Sequence, residues 1–324
     1  MNFDLDEGQR EFAGLAEKFF SENASPAHAR DQLEGKGEPA PGLAAIAELG
    51  FLGITVPESE GGIGQSMLDL AVVAEQAGRA LASPSMVTPA RAAVLLAGHP
   101  EHLAALADGS VAYAVVDGDG PTIDAATATK FLALQGTSLV LASGSVKASE
   151  PIDPTRGLGT VTLTDTEVLV EDATELWERG RLAGYIAIAA EDLGTAQKAL
   201  DVGVEYGNMR EAFGRKIGSY QAIKHALVDV YVDVEQLRSL VWWAAWAFDH
   251  DPDEAALAAH AAKARASKIL ERASETLIQV HGGIGFTWEH DAHLYWRRAK
   301  TDRLLLGDAN SHFNAVAELS LASA

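Results

Sequence analysis

The chain has 324 residues, 48% hydrophobic and 22% charged, enough to bury a core in one large domain or two to three small ones; this is the composition of a folded protein. Its 46 acidic against 25 basic residues give a formal charge of −21, and with no long basic run this argues against nucleic acid or an anionic membrane as a partner. The absence of cysteine removes disulfides, thiolate metal sites and thiol catalysis together.

Over residues 4–23 the apolar side chains Leu5, Phe12, Leu15, Ala16, Phe19 and Phe20 recur at helical spacing and predict an amphipathic helix. Gly35, Gly37, Pro39 and Pro41 interrupt it, and a second helix follows from about Gly42 with Leu43, Ile46 and Leu49. VPESEGGIG, from Val56 to Gly64, reads as a glycine-rich loop. Residues 66–81 predict a third helix that offers Leu68, Val72, Val73 and Ala80 to a core. Pro84 and Pro89 separate it from helical stretches at 90–97 and 103–106.

Beyond residue 110 the texture changes. Segments 113–116, 139–142, 161–163 and 168–170 are short, β-rich and punctuated by Gly, Asp and Pro, which predicts a compact antiparallel β-domain. From Leu176 long helical patterns return. Ile188, Leu193, Ala196, Leu200 and Val204 predict a helix over 187–205, in which Gly194 permits close helix approach. Residues 222–248, 253–280 and 291–320 predict three more, together a four-helix bundle. The expected fold class is mainly α with a small β-domain: an N-terminal helical domain over 1–109, a reduced antiparallel β middle domain over 110–173 and a C-terminal four-helix bundle over 174–324. The acidic start, MNFDLDEGQREF, lacks the parts of a signal peptide, and the apolar stretch 241–248 is too short to cross a bilayer. No membrane insertion and a cytoplasmic location are expected.

Residues 210–225, REAFGRKIGSYQAIKH, hold a charged fork at Arg210, a turn at Gly214 and an amide at Gln221. A planar guanidinium donates paired hydrogen bonds to phosphate, and Phe213 offers an apolar face to a ring. Arg215 and Lys216 make the patch locally basic. From residue types alone, a helix, a glycine turn and a surface arginine is an equal reading. The stretch resembles the R-x-x-F-G-x-x-I-x-x-x-Q signature of the acyl-CoA dehydrogenases, a flavoprotein family. VPESEGG at 56–62, EQAGR at 75–79 and QVHGGIGFTWEH at 279–290 agree with it in order. Together they cover both ends of the chain and are more specific than any one.

The resemblance implies FAD as cofactor, its ADP half crossing a subunit boundary to meet the R-x-x-F-G and Q-x-x-G-G motifs. Residue by residue, this assigns Arg210, Phe213, Gln221, Gln279, Gly282 and Gly283 to cofactor binding. Arginine supplies a charge-assisted contact to pyrophosphate, and the glycines allow close backbone approach. The plain structural reading of the glycines is a C-cap and turn.

The implied reaction removes hydrogens α and β to a thioester: a carboxylate takes the α proton and flavin takes a hydride. Neither of the family's two positions for that carboxylate holds one here. Counting on from Arg297–Lys300 puts Leu306, immediately before Gly307, at the first, and counting back from Gly194 puts Gly184 at the second. Asp308 stands where the family often has a hydroxyl near the flavin. AYAVVDGDGPTID, 112–124, stands where members with their own flavin carry T-E-P-x-x-G-S-D. Glu191, seven residues beyond Gly184 on a similar helix face, is the alternative base; a carboxylate satisfied by hydrogen bonds or facing an interface is the favoured reading. No catalytic residue is assigned. Glu289, His290 and His293 lack the matching second set that a dimetal bundle needs, so no metal is expected. Trp242, Trp243 and Trp246 read as core or helix-interface residues.

The chain thus resembles the shortened subunits of actinobacterial heterotetrameric steroid-CoA acyl-CoA dehydrogenases. Its expected partners are an acyl-CoA substrate, a second acyl-CoA dehydrogenase-like subunit that supplies the flavin shelf and base, and an electron-transferring flavoprotein or similar acceptor. The alternatives are a self-sufficient homo-oligomeric dehydrogenase with a relocated base and a flavin-free structural or regulatory subunit.

Overall fold

The computed structural model describes residues 4–322. The first helix, α1 (Glu7–Asn23), opens on a capping box: the Asp6 carboxylate accepts from the Gln9 N–H at 2.8 Å, and the Gln9 amide oxygen accepts from the Asp6 N–H at 3.0 Å. It buries Ala16 and Phe20, with Phe12, Phe19 and Phe20 ringed about Phe51. Short helices α2 (Pro26–Leu33) and α3 (Leu43–Glu48) lead through the glycine-rich loop to α4 (Met67–Arg79), α5 (Val87–Leu95) and α6 (Pro100–Ala107).

The sheet is mixed, which corrects the wholly antiparallel expectation. Strands β1 (Tyr113–Val116), β2 (Lys130–Gln135), β3 (Ser138–Ala148) and β4 (Gly159–Val170) lie in that order. β1 pairs parallel with β2, in register from Tyr113 with Lys130 to Val116 with Ala133; the other two pairings are antiparallel. The connection between β1 and β2 returns to the starting end of the sheet, tied on the way by Thr122 bridging Gly159. β2 was not foreseen, and the segments 161–163 and 168–170 are parts of one strand.

Helix α7 (Thr174–Met209) starts 13 residues before the predicted 187, followed by α8 (Gln221–His250) and α9 (Pro252–His281). The expected fourth helix is divided into α10 (Ala292–Asp302) and α11 (Ala309–Ala322). The break comes where Leu306 (φ 58°) and Gly307 (φ 100°) take left-handed backbone that ends a helix. The middle of α7 is buried on almost every side: α9 and α8 pack along it, α5 meets its first half at Gly180 and Gly184, and α4 crosses its middle from Glu191 to Asp201. Glycine makes the α4 contact possible. A Cβ on Gly194 would lie 1.8 Å from the Glu75 carbonyl oxygen, and one on Gly78 would lie 2.0 Å from that of Glu191. Trp242, Trp243 and Trp246 pack half-buried against the shared core. No helix among the described residues is long and apolar enough to cross a membrane.

Candidate functional site

The up-down-up course of α7, α8 and α9 brings the end of α7, the start of α8 and the end of α9 to one end of the bundle. Stacking of Tyr206 on His281, ring centroids 4.0 Å apart, fastens two of these ends, and His290 lies 4.1 Å beyond His281. Arg210 closes α7, donating its N–H to the Tyr206 carbonyl at 2.9 Å. A minimal hairpin follows, β5 (Glu211–Ala212) and β6 (Arg215–Lys216). Its two turn residues, Phe213 (φ 51°) and Gly214 (φ 77°), are both left-handed, as a type I′ hairpin turn requires. Phe213 is 98% exposed at the tip.

The hairpin sorts the three cations of the sequence patch. Lys216 pairs with Glu211 at 2.9 Å, and Arg215 lies 3.9 Å over the Tyr220 ring, whose hydroxyl donates to the Ala212 carbonyl at 3.0 Å. Arg210 is exposed, and among the described residues its guanidinium has no ion pair. Gln221, the first residue of α8, and Gln279, in the last turn of α9, are also exposed. Gly282 (φ 62°) and Gly283 follow with nothing within 4 Å of where a Cβ would stand. The structure therefore brings all six sequence-derived cofactor residues to the same end of the bundle. Their donor set, one unpaired guanidinium, two amides and bare backbone, fits a phosphate-bearing nucleotide approaching from outside the chain.

A second feature lies elsewhere. A cavity of about 920 Å³ opens between α5, the sheet, α7 and the turn after α10. Leu306 lines it, and a Cβ on Gly184 would meet Arg91 Cδ at 2.7 Å and Leu306 Cδ1 at 3.2 Å. The two positions at which the resemblance places a base thus converge on one spot, filled by an aliphatic side chain and by the stem of Arg91. Arg91 grips Asp117 with two parallel hydrogen bonds, Nη2 to Oδ1 at 2.8 Å and Nη1 to Oδ2. Asp117 belongs to the 112–124 stretch, much of which walls the cavity. The Arg91–Asp117 pair was missed from sequence; the only signal was one arginine in the otherwise apolar run TPARAAVLL.

Glu191 does not line this cavity. It is 2% exposed, accepts from the Ser85 hydroxyl at 3.0 Å and the Met86 N–H at 2.6 Å, and pairs with Arg156. Arg156, reaching in from the loop between β3 and β4, also donates from Nε to Asp302 at 2.8 Å. Arg298 donates to Asp153 at 2.5 Å and to the Thr155 hydroxyl at 2.6 Å. Burial beside Asp302 pushes the Asp192 carboxyl well above the usual carboxylate range. These residues lock the sheet's long loop to the bundle and hold Glu191 buried among three donors, away from the cavity. Asp308 is exposed and caps α11, accepting from the Ser311 N–H at 2.8 Å and its hydroxyl at 2.7 Å.

Comparison with known proteins gives the same frame. The acyl-CoA dehydrogenase N-terminal domain matches residues 6–104, and the acyl-CoA dehydrogenase C-terminal domain matches residues 180–321. The acyl-CoA dehydrogenase IpdE2 of Mycolicibacterium smegmatis is 34% identical over 308 residues, covering 91% of this chain and 92% of the relative. Among solved structures, the ChsE4–ChsE5 complex of Mycobacterium tuberculosis superposes with a TM-score of 0.86 at 25% identity over 100% of both chains. The Tcur3481–Tcur3483 steroid ACAD gives 0.84 at 26% identity over 98% of each.

Proposed function

The chain belongs to the acyl-CoA dehydrogenase family, whose members are FAD-dependent oxidoreductases, and from that premise we propose that it is the cofactor-clasping subunit of a heteromeric acyl-CoA dehydrogenase. In the assembly an acyl-CoA thioester is dehydrogenated between its α and β carbons. The partner subunit's carboxylate takes the α proton, and FAD, when bound, supplies the hydride acceptor. This chain's part is binding: Arg210 to the pyrophosphate, Gln221 and Gln279 to neighbouring polar atoms, Phe213 to a ring face, and Gly282–Gly283 as open backbone.

One contrast carries the reading: Arg210, free of an ion pair among the described residues, and Gln221 and Gln279 are exposed at one end of the bundle, while Leu306 and Gly184 meet where a base would have to stand. Glu191, tied to Arg156, Ser85 and the Met86 N–H, opposes the self-sufficient alternative. The likeness to ChsE4–ChsE5 and Tcur3481–Tcur3483, each a pair of chains, supports a second dehydrogenase-like subunit; the steroid ACAD among them supports a steroid side-chain thioester as substrate. An electron-transferring flavoprotein or similar acceptor would reoxidise the flavin. Co-expression with a neighbouring dehydrogenase-like chain tests the reading. FAD should be retained by the complex and released by Arg210→Ala; a chain that retains FAD and is reduced by acyl-CoA alone would refute it.

A further inference from the structure

The buried ion network holds one acid that no donor satisfies. Four carboxylates, Asp153, Glu191, Asp192 and Asp302, and three cations, Arg156, Lys263 and Arg298, meet where α7, α9, α10 and the loop between β3 and β4 come together, each at most 5% exposed. Three of the carboxylates have donors: Arg156 and Ser85 at Glu191, Arg156 again at Asp302, and Arg298 with the Thr155 N–H at Asp153. Asp192 has none. Both of its oxygens are enclosed and without a donor among the described residues. Lys263 faces it from α9, but its ammonium donates to the Ser267 hydroxyl and the Asp302 carbonyl, each at 2.9 Å.

What Asp192 does reach is another carboxylate, that of Asp302. Two ionised carboxylates only accept and repel each other, whereas one proton between them makes the contact a hydrogen bond. Burial and then the Asp302 charge raise the Asp192 carboxyl, against Lys263 and Arg156. Burial raises Asp302 as well, but Arg156 and Arg298 outweigh it and hold that carboxyl below its usual range, so the proton rests on Asp192. The balance of charge agrees: with Asp192 neutral, three carboxylates face three cations, and a buried excess charge is costly. Asp124, joined to Glu191 through Ser85, has its own donors in the Ser85 N–H at 3.0 Å and the Thr88 hydroxyl at 2.6 Å.

We propose that Asp192 keeps a proton at neutral pH, bonded to Asp302, and that this proton is the catch of a latch between the β3–β4 loop and α10 that loosens as pH rises. The two sides of the joint run on into the cavity wall, at Leu158 and at Thr301, Leu304, Leu305 and Leu306, so it sets how firmly those walls stand together. When the joint opens, Asp192 meets water as an ordinary acid of about 3.9 and loses the proton that the closed form keeps. Opening therefore releases one proton, and above about pH 4 the open fraction rises tenfold per pH unit for as long as the closed form stays protonated.

Trypsin reads the joint, because the bond after Arg156 is open to it only when that guanidinium has left the core. Digestion of the full chain, alone or in the complex with which it purifies, is compared with that of Asp192→Asn, whose amide donates to Asp302 without a titrating proton. Where reclosing is fast, cleavage tracks the open population. The rate at Arg156 relative to the variant's should rise about tenfold from pH 7 to pH 8. The infrared band of a protonated carboxyl, present in wild type, should be missing from the variant. A rate ratio that stays flat overturns the latch, and identical infrared spectra overturn the proton. If Asp192→Asn fails to fold, wild type alone decides. At pH 8 Asp124, raised by burial to about 6, is ionised, so a protonated-carboxyl band that persists there belongs to Asp192, and its absence overturns the proposal.

Discussion

Arg156 and Arg210 carry the same charge in opposite surroundings. Arg156 is fully buried between Glu191 and Asp302, so Arg156→Met would strand two carboxylates in the core. Breaking a buried pair from one side costs about 3–5 kcal/mol, and urea unfolding of this variant should show a loss of that size. Arg210→Ala removes an exposed side chain and should leave unfolding within about 0.5 kcal/mol of wild type. Its effect is expected in the assembled complex. Loss of a charged hydrogen bond worth about 1.5–3 kcal/mol weakens FAD roughly ten- to 150-fold, measured by titration of flavin into the apo-complex. Equal effects on unfolding from both substitutions would contradict this division.

His312 is one of four histidines, with His260, His281 and His293, whose imidazoles burial lowers, and all four contribute to the pH dependence in the same direction. Burial pushes the His312 imidazole down to about 4, with His260, Lys263 and Arg181 acting the same way and outweighing its hydrogen bond to the Leu306 carbonyl. In the unfolded chain it titrates near the ordinary ~6.5. Between these values the unfolded state binds the extra proton, so the folded state loses stability as pH falls from 6.5 towards 4. Asp124 works against it in this range: burial raises its carboxyl to about 6 against the hydrogen bonds from Thr88 and Ser85, so there the folded state binds the extra proton. The comparison that isolates His312 is His312→Gln against wild type, whose stability difference should shift in favour of the variant as pH drops from 7 to 4.5. A difference that stays flat would contradict the assignment.

At the scale of elements, the glycines of α4 and α7 set how closely the N-terminal helices lie on the bundle. Gly194→Val would drive a side chain into the Glu75 backbone, which cannot swing away as a flexible side chain could. The expected cost is at least about 3 kcal/mol, the top of the usual range for overpacking, read by denaturant unfolding. Gly214→Asn, in open space at the hairpin tip and left-handed, should be nearly neutral. Gly194 was readable as a close-approach position because it interrupts a strong apolar period. The first turns of α7 were not, since Gly180 and Gly184 weaken helix propensity there. Their missing Cβ atoms instead make room for Leu95 and Arg91, a tertiary reason invisible in local pattern. The division of α10 from α11 was hidden for a similar reason: Leu306 and Leu305 continue the helical pattern, and only the left-handed backbone at 306–307 breaks it. β2, KFLALQ, has its middle residues buried on both faces, so it lacks the polar alternation that marks a half-exposed strand.

At the scale of the whole molecule, the common location of the six proposed cofactor residues was legible because each sits at a helix end or in the link between two helices, and helix order alone decides which ends meet. The cavity and the buried ion network were not legible, because Arg91 with Asp117 and Arg156 with Glu191 and Asp302 are far apart in sequence and share no spacing rule. Large apolar side chains left exposed on α8, at the hairpin tip and after α9, Val228, Tyr231, Phe213, Phe286 and Trp288 among them, suit a face that another subunit covers. That face and the exposed donors bear on the proposal that the chain completes a flavin site whose reactive half belongs to another chain. FAD content measured together with native mass, on the chain alone and on the complex co-expressed with a dehydrogenase-like partner, tests it most directly. The expected result is a colourless chain by itself and a mixed assembly that holds FAD, with fewer flavins than chains. A chain that purifies alone as a yellow homo-oligomer, one flavin to every chain and bleached by acyl-CoA, would contradict it.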